Sequence, residues 1–186
     1  MKLIKIFIFL LISLVISTKA SSNEDLLNSL KEGGKLIFIR HAYAPGSGDP
    51  INFDIEDCST QRNLNQEGKN QAKNIGLLFK QKNISIDYVI SSQWCRCKET
   101  ASIAFEDKYQ VKDFLNSFYE QRFVKNKHRQ VRNLKKHIDN WKGKKNLILV
   151  THYVVISEIL NYNTYSGEIV ISDKNYKVIG SFKSEF

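Results

Sequence analysis

The amino-acid sequence predicts a single three-layer α/β/α domain with a mostly parallel central sheet. Three apolar runs show no polar alternation, as expected of strands buried on both faces: Leu36–Arg40, Tyr88–Ser91 and Leu147–Thr151. Each run is followed by a segment with helical spacing of apolar residues, which is the order of a parallel sheet covered by helices. The length of 186 residues favours one domain over two.

Further elements follow from the same patterns. The apolar spacing predicts helices over Glu67–Gln81 and Trp94–Phe105 and another that follows the third strand through Leu160. The basic stretch Arg122–Lys136 is also expected to be helical, and the helix is expected to continue toward Trp141. Two strands are expected at the far edge of the sheet, Glu168–Ser172 and Tyr176–Ile179.

The first 20 residues differ from this domain in composition. A positively charged start precedes a twelve-residue stretch without charge from Ile6 to Ser17, and small residues precede a predicted cut after Ala20. This is the pattern of a cleavable secretory signal, and the stretch is shorter than the roughly 18–20 residues that a membrane span needs. We therefore expect 1–20 to be a signal peptide, 21–186 to be the mature domain, and a bacterial periplasmic or secreted location.

The composition is that of a folded, basic protein. Hydrophobic residues make up 42% of the chain, which excludes a disordered protein. There are 28 Lys and Arg against 19 Asp and Glu, and the formal net charge is +9. The predicted leader contains three lysines and no acid, so the mature chain has a net charge of +6. Ten of the basic residues and one acid lie between Arg122 and Lys145, either as a solvated face or as a surface for a polyanion.

Arginine and histidine follow all three buried strands. Arg40 and His41 end the first strand, Arg96 follows the second, and His152 follows the third. Ligands bind outside the carboxyl ends of the strands in such sheets, so these four side chains are expected in one crevice. Arginine donates in pairs to phosphate oxygens, and a neutral imidazole is a nucleophile toward phosphorus. The pattern predicts a phosphate site for phosphoryl transfer, with no need for a metal or a cofactor.

Four sequence blocks occur in one order along the chain: LIFIRHA at 36–42, NLNQEG with QA at 63–72, SSQWCR with ETA at 91–101, and VTH at 150–152. This series resembles the histidine phosphatase (phosphoglycerate mutase-like) superfamily over about residues 35–160. Within the superfamily the chain is most similar to small exported bacterial members, because of the phrase DCSTQRNL at 57–64.

The resemblance implies a role for each strand-end residue. His41 would become phosphohistidine, Arg40 and Arg96 would hold the phosphoryl oxygens, and His152 would donate a hydrogen bond to the same group. Water would then release inorganic phosphate. The short chain has little inserted sequence to cage an intermediate, so hydrolysis of a phosphate monoester or phosphoramidate is preferred over a mutase reaction.

The sequence departs from the family pattern at the proton donor to the leaving group. Many members have a glutamate in a Leu-x-Glu context, whereas Ser117 stands at that position here. Asp113 and Glu120 are the nearest acids, with Glu120 the better placed, and the donor stays unassigned. The missing donor leaves an alternative, a catalytically weakened member of the fold that binds phosphate or a polyanion.

Three cysteines in an exported protein predict one disulfide and one free thiol. A zinc site built from Cys95, Cys97 and a histidine is disfavoured, because the C-x-C spacing does not match the usual knuckle. The resemblance implies that Cys58 pairs with Cys95 rather than with Cys97, which would leave Cys97 as a buried free thiol.

Partners are predicted only by class. The resemblance implies a phosphorylated small molecule or an envelope glycolipid as substrate, with specificity from residues 43–60 and 106–130. The basic stretch is expected to be a solvated face, and contact with an anionic membrane surface is the alternative. The sequence contains no nucleic-acid-binding signature, so nucleic acid is not expected, and we expect a monomer.

Overall fold

The computed structural model describes residues 23–183, so the predicted signal peptide lies outside the described residues. A six-stranded mixed sheet lies between two layers of helices. The strands are β1 Leu36–Arg40, β2 Ile86–Ser91, β3 Gln110–Val111, β4 Asn146–Thr151, β5 Ile169–Ser172 and β6 Val178–Phe182. The helices are α1 Asn23–Glu32, α2 Gln66–Gln81, α3 Cys95–Phe105, α4 Gln121–Val124, α5 Lys127–Asn140 and α6 Tyr153–Leu160.

The strand order places the ends of three strands side by side. The order is β3-β2-β4-β1-β5-β6, in which the first four strands are parallel and β5 and β6 are antiparallel to their neighbours. This confirms the mostly parallel α/β sheet. Arg40 of β1 lies opposite Thr151 of β4, and Ser91 of β2 lies opposite Val150. The residues that follow β1, β2 and β4 therefore share one edge.

The central strands are buried on both faces, as their apolar runs predict. Along β1, Ile37 and Ile39 pack with α1, α2 and α3, whereas Leu36 and Phe38 pack with α5 and α6. All four are fully buried. Strand β4 alternates in the same way and joins both cores. The buried strands thus end where the arginine and histidine residues begin.

The basic stretch forms two helices instead of the one that the sequence predicts. Helix α4 ends at Val124, and the Asn126 N–H donates to the Phe123 carbonyl at 2.9 Å before α5 begins. The short α4 turns Phe123 onto Phe53 and Trp94, with ring centroids 5.4 and 5.3 Å away. Packing against a loop determines this break, and the charge pattern contains no signal for it.

The edge of the sheet differs from the prediction at β6. The backbone N–H groups of Asn175 and Lys177 donate to Asp173 Oδ1, and the Tyr176 N–H donates to the Asp173 carbonyl. This turn delays the start of β6 to Val178, two residues beyond the predicted start. Helix α1 and the short strand β3 were not predicted.

The cysteines pair as the family resemblance implies. Cys58 and Cys95 form a disulfide with their Cα atoms 5.6 Å apart, and Cys97 is a buried free thiol. The sulfur of Cys95 is therefore not available as a zinc ligand. The bridge joins the loop after β1 to the first turn of α3. Within residues 23–183, no helix has both the length and the apolar character required to cross a membrane.

Candidate active site

The four predicted site residues lie around one small cavity at the carboxyl edge of the sheet. Arg40 and His41 follow β1, Arg96 is the second residue of α3, and His152 lies between β4 and α6. The cavity has a volume of about 100 Å³. The parallel register of β1, β2 and β4 brings the four together, because each strand ends at the same level.

His41 presents one ring nitrogen as an acceptor. Its Nδ1 lies 2.8 Å from the Ala42 carbonyl oxygen, which only accepts, so Nδ1 has the proton and Nε2 has the lone pair. Arg96 Nε donates to that Nε2 at 3.2 Å. Burial, followed by the charge of Arg96, lowers the pKa of His41 well below its ordinary value. The imidazole is therefore neutral near pH 7, as a nucleophile must be.

Arg40 has a buried donor that no group in the described part of the protein accepts. Its Nη1 donates to the Thr164 carbonyl at 2.7 Å, and its guanidinium lies 5.3 Å from the centre of the Tyr153 ring. The Arg40 Nε atom is buried and has no hydrogen-bond partner among residues 23–183. Buried N–H groups are nearly always paired, so this donor suits an anionic ligand.

A hydrogen-bond chain fixes the tautomer of His152. The Gln93 N–H donates to Asn116 Oδ1 at 2.9 Å, and the Ser92 hydroxyl donates to the same oxygen at 3.1 Å. Ser92 Oγ has only one proton, so it accepts from His152 Nε2 at 2.9 Å. Burial, followed by Arg96, lowers the pKa of His152 well below its ordinary value. The neutral ring has its proton on Nε2.

Three motif residues hold the turn that contains His41. The Ala42 N–H donates to Thr100 Oγ1 at 3.0 Å, and the Tyr43 N–H donates to Gln71 Oε1 at 2.9 Å. Gly68 lies directly against Tyr43, and a Cβ there would collide with the Tyr43 carbonyl oxygen. These contacts give the three residues a role in packing and in the geometry of the turn.

Comparisons with known proteins find similarity to one family. Residues 36–123, just under half of the chain, match the profile of the histidine phosphatase superfamily (branch 1). Over this segment the chain is similar to that superfamily, as the sequence blocks indicate. No curated protein sequence matches the chain.

Solved structures share its fold at low sequence identity. The protein histidine phosphatase SixA complexed with tungstate is 14% identical with a TM-score of 0.56, over 81% of this chain and 97% of that chain. A SixA protein from Agrobacterium tumefaciens is 17% identical with a TM-score of 0.58, over the same shares of the two chains. Phosphoglycerate mutase from Thermus thermophilus is 14% identical with a TM-score of 0.56, over 80% of this chain and 98% of that chain.

Two charged residues line the cavity without having been predicted as site residues. Asp49 Oδ1 accepts from Arg96 Nη1 at 2.8 Å, and Arg62 donates from Nε to the Gly48 carbonyl at 2.9 Å and from Nη1 to the Ala44 carbonyl. Both lie in the irregular segment between β1 and α2. No periodicity marks Asp49, whereas Arg62 belongs to the family phrase at 57–64.

The candidates for the proton donor differ in position. Ser117 and Glu120 both line the cavity. Glu120 Oε2 lies 2.7 Å from Arg122 Nη2, and its Oε1 accepts from the Asp49 N–H at 2.8 Å. Asp113 pairs with Arg129 at 2.6 Å and is not among the residues that line the cavity. Glu120 is therefore the better placed of the two acids, but its carboxylate is already paired with a cation.

Proposed function

We propose that this protein is an exported phosphohydrolase that cleaves a phosphate monoester or phosphoramidate through a phosphohistidine on His41. One observation supports the proposal above all. The His41 Nε2 lone pair faces a guanidinium in a buried cavity, with its Nδ1 proton held by the Ala42 carbonyl. A neutral, oriented imidazole beside fixed cations is the arrangement that phosphoryl transfer to histidine requires.

The chemistry follows from these positions in two displacements. His41 Nε2 attacks phosphorus while the bond from phosphorus to the leaving oxygen or nitrogen breaks, and the leaving group takes a proton. Arg40 and Arg96 bind the equatorial phosphoryl oxygens as their charge develops. Water then attacks the phosphohistidine, the phosphorus–nitrogen bond breaks, and inorganic phosphate leaves with His41 neutral again. His152 lines the same cavity, and it hydrogen-bonds a phosphoryl oxygen when its Nε2 proton turns to that oxygen from Ser92 Oγ.

The size of the cavity supports a substrate that is recognised mainly by its phosphoryl group. Enclosed small-molecule sites usually measure about 300–1,000 Å³, whereas this cavity has about 100 Å³. The phosphoryl group therefore enters, and the leaving group stays at the rim beside Tyr119 and Tyr153. A phosphorylated small molecule or an exposed phosphate of an envelope glycolipid meets this requirement.

The state of Glu120 favours good leaving groups. Both carboxylate oxygens of Glu120 are engaged, one by Arg122 and one by the Asp49 N–H, so Glu120 is not directed at a leaving group. The loss of general acid catalysis costs roughly 10²–10⁴ in rate for an alkoxide. Phosphoramidates need such a donor least. Similarity to the SixA structures, one of which is described as a protein histidine phosphatase, supports the same preference. The paired Glu120 also keeps a second candidate open, a phosphate-binding protein with little turnover.

Turnover by the purified chain 21–186 tests the proposal. We expect hydrolysis of para-nitrophenyl phosphate and phosphoramidate without added metal, and a loss of about 10³-fold or more in kcat for His41→Ala. An alkaline quench with labelled substrate should trap label on the wild type and none on His41→Ala. His128→Ala, an exposed histidine on α5, is the matched control and should keep full activity. If wild type and His41→Ala are equally inactive while inorganic phosphate binds, the phosphate-binding protein is the correct function.

A further inference from the structure

Asp49 is a buried carboxylate in a cavity that three arginines also line. Its side chain is 2% exposed, and Oδ1 accepts from Arg96 Nη1 at 2.8 Å. The Arg62 N–H donates to the same oxygen at 3.0 Å, and Trp94 Nε1 donates to Oδ2 at 3.0 Å. Burial raises the pKa of Asp49, but these donors, with Arg96 first, bring it below its ordinary value. The carboxylate is therefore ionised.

The contact with Asp49 holds one particular side of the Arg96 guanidinium. This group is planar, and its N–H bonds point in fixed directions, so Nη1 faces away from the edge formed by Nε. Asp49 and the Arg62 carbonyl oxygen, at 2.8 and 3.3 Å, both accept from Nη1. The Nε edge is left directed at His41 Nε2, 3.2 Å away.

We propose that Asp49 is a positioning residue that holds Arg96 by Nη1 so that its Nε edge faces His41 and the phosphoryl group. The inference rests on the proposed function and assigns Asp49 a role in it. Asp49 also sets the charge of the cavity. Three guanidiniums line it, those of Arg40, Arg62 and Arg96, and the carboxylates of Asp49 and Glu120 reduce this positive charge without cancelling it.

The backbone of the loop around Asp49 is held by hydrogen bonds to the side chains of Arg122 and Glu120. Arg122 donates to the carbonyl oxygens of Asp49, Pro50 and Ile51 at 3.4, 3.1 and 3.2 Å. Glu120 accepts from the Asp49 N–H and pairs with the same arginine. The backbone on both sides of Asp49 is thus fixed, and the side chain has a defined direction toward Arg96. This is what a residue needs if it orients another.

A double-mutant cycle separates positioning from a general structural role. The four proteins are wild type, Asp49→Asn, Arg96→Ala and the double variant. We expect Asp49→Asn to lower kcat on phosphoramidate about 10–100-fold with a smaller change in KM, and to lower kcat less than about threefold in the Arg96→Ala background. Asp54→Asn is the matched control, because it makes the same charge change on the same loop at an exposed carboxylate. It should leave kcat unchanged.

Equal losses in the two backgrounds, or no loss for Asp49→Asn, would overturn the proposal. If Asp49→Asn does not fold, Trp94→Phe removes the Nε1 donor to Asp49 while it keeps a ring, and it should lower kcat only when Arg96 is present. If the wild type turns over neither substrate, the proposed function fails by itself. The affinity of the same four proteins for tungstate, measured by calorimetry, then tests the role of Asp49. If Asp49 positions Arg96, Asp49→Asn binds tungstate more weakly than the wild type does. The double variant then binds tungstate as well as Arg96→Ala does.

Discussion

His41 and His152 are buried imidazoles in a cavity that three arginines line. Their ring centroids lie 5.4 Å apart, and both rings are almost completely excluded from solvent. A proton on either ring would face Arg96 without water to solvate the charge, which is why burial and Arg96 depress both pKa values. The native state thus keeps both rings neutral at a pH at which an unfolded chain protonates them.

This difference predicts a loss of stability in mild acid. Below the ordinary histidine pKa of about 6.5, the unfolded chain binds protons that the folded chain does not bind, so the free energy of unfolding falls as pH falls. The slope is at most about 1.4 kcal/mol per pH unit for each histidine. Urea unfolding between pH 7 and pH 5 measures it. His41→Gln and His152→Gln should each flatten the dependence.

The exposed histidine of α5 provides the comparison for these measurements. His128→Gln is the matched control for both substitutions, because it replaces an exposed histidine instead of a buried one. Equal slopes for the wild type and for His41→Gln would contradict the assignment of a depressed pKa to His41. A change in the opposite direction, with greater stability at pH 5 than at pH 7, would contradict it as well.

At the scale of the elements, helix α2 approaches its neighbours closely at two glycines. A Cβ at Gly68 would collide with the Tyr43 carbonyl, and a Cβ at Gly76 would collide with the Ala104 carbonyl of α3. Both contacts are with backbone atoms, which cannot rotate away. The two contacts differ in location, because Gly68 supports the turn of His41 and Gly76 lies between two helices.

Substitution of each glycine by alanine should therefore separate an effect on stability from an effect on activity. Overpacking costs about 1–3 kcal/mol of unfolding free energy at either position. Gly68→Ala should in addition lower kcat by about tenfold or more, because a displacement of the turn moves His41 from its place beside Arg96. Gly76→Ala should lower stability and leave kcat within about twofold. Urea unfolding and phosphoramidate turnover on the same preparations check both, and an equal loss of kcat in the two variants would contradict the argument.

The sequence predicts the residues at the ends of regular elements but not the contacts that loops make. The buried strands are predictable because each is a short apolar run with a charged residue after it, and parallel geometry then places Arg40, His41, Arg96 and His152 together. Asp49 is not predictable in this way, because it reaches Arg96 through an irregular segment without periodicity.

Loop packing also determines where α4 ends, which the sequence pattern does not predict. The end of α4 depends on the aromatic contacts of Phe123 with Phe53 and Trp94, which are distant in sequence. The basic charges of this stretch are compatible with one helix or with two. Charge alone predicts exposure of the stretch but not the position of its break.

At the scale of the whole molecule, the basic stretch is partly used by the fold. Three of its ten cations pair with carboxylates: Arg122 with Glu120, Lys127 with Glu158, and Arg129 with Asp113. These pairs fasten α4 and α5 to their neighbours. Arg132, Lys135 and Lys136 have helical spacing on α5 and are exposed. We use the name α5 basic face for these three residues.

The α5 basic face predicts binding to an anionic membrane. A basic side chain near a negatively charged bilayer contributes about 1 kcal/mol, so three contribute about 3 kcal/mol, or on the order of 100-fold in affinity at low salt. Changing all three to glutamine should therefore weaken binding to phosphatidylglycerol vesicles by that factor. Turnover of soluble para-nitrophenyl phosphate should stay unchanged, because none of the three lines the catalytic cavity.

A matched set of lysines on the opposite layer distinguishes a specific face from net charge. Lys73, Lys80 and Lys82 are exposed on α2 or directly after it, on the other side of the sheet. Their change to glutamine removes the same charge and should weaken vesicle binding only a little, since these residues face away from a membrane that contacts α5. Sedimentation with vesicles at two salt concentrations measures both sets. An equal loss in the two sets would show that net charge alone binds the bilayer, and an absence of wild-type binding at low salt would show that the α5 basic face is only solvated.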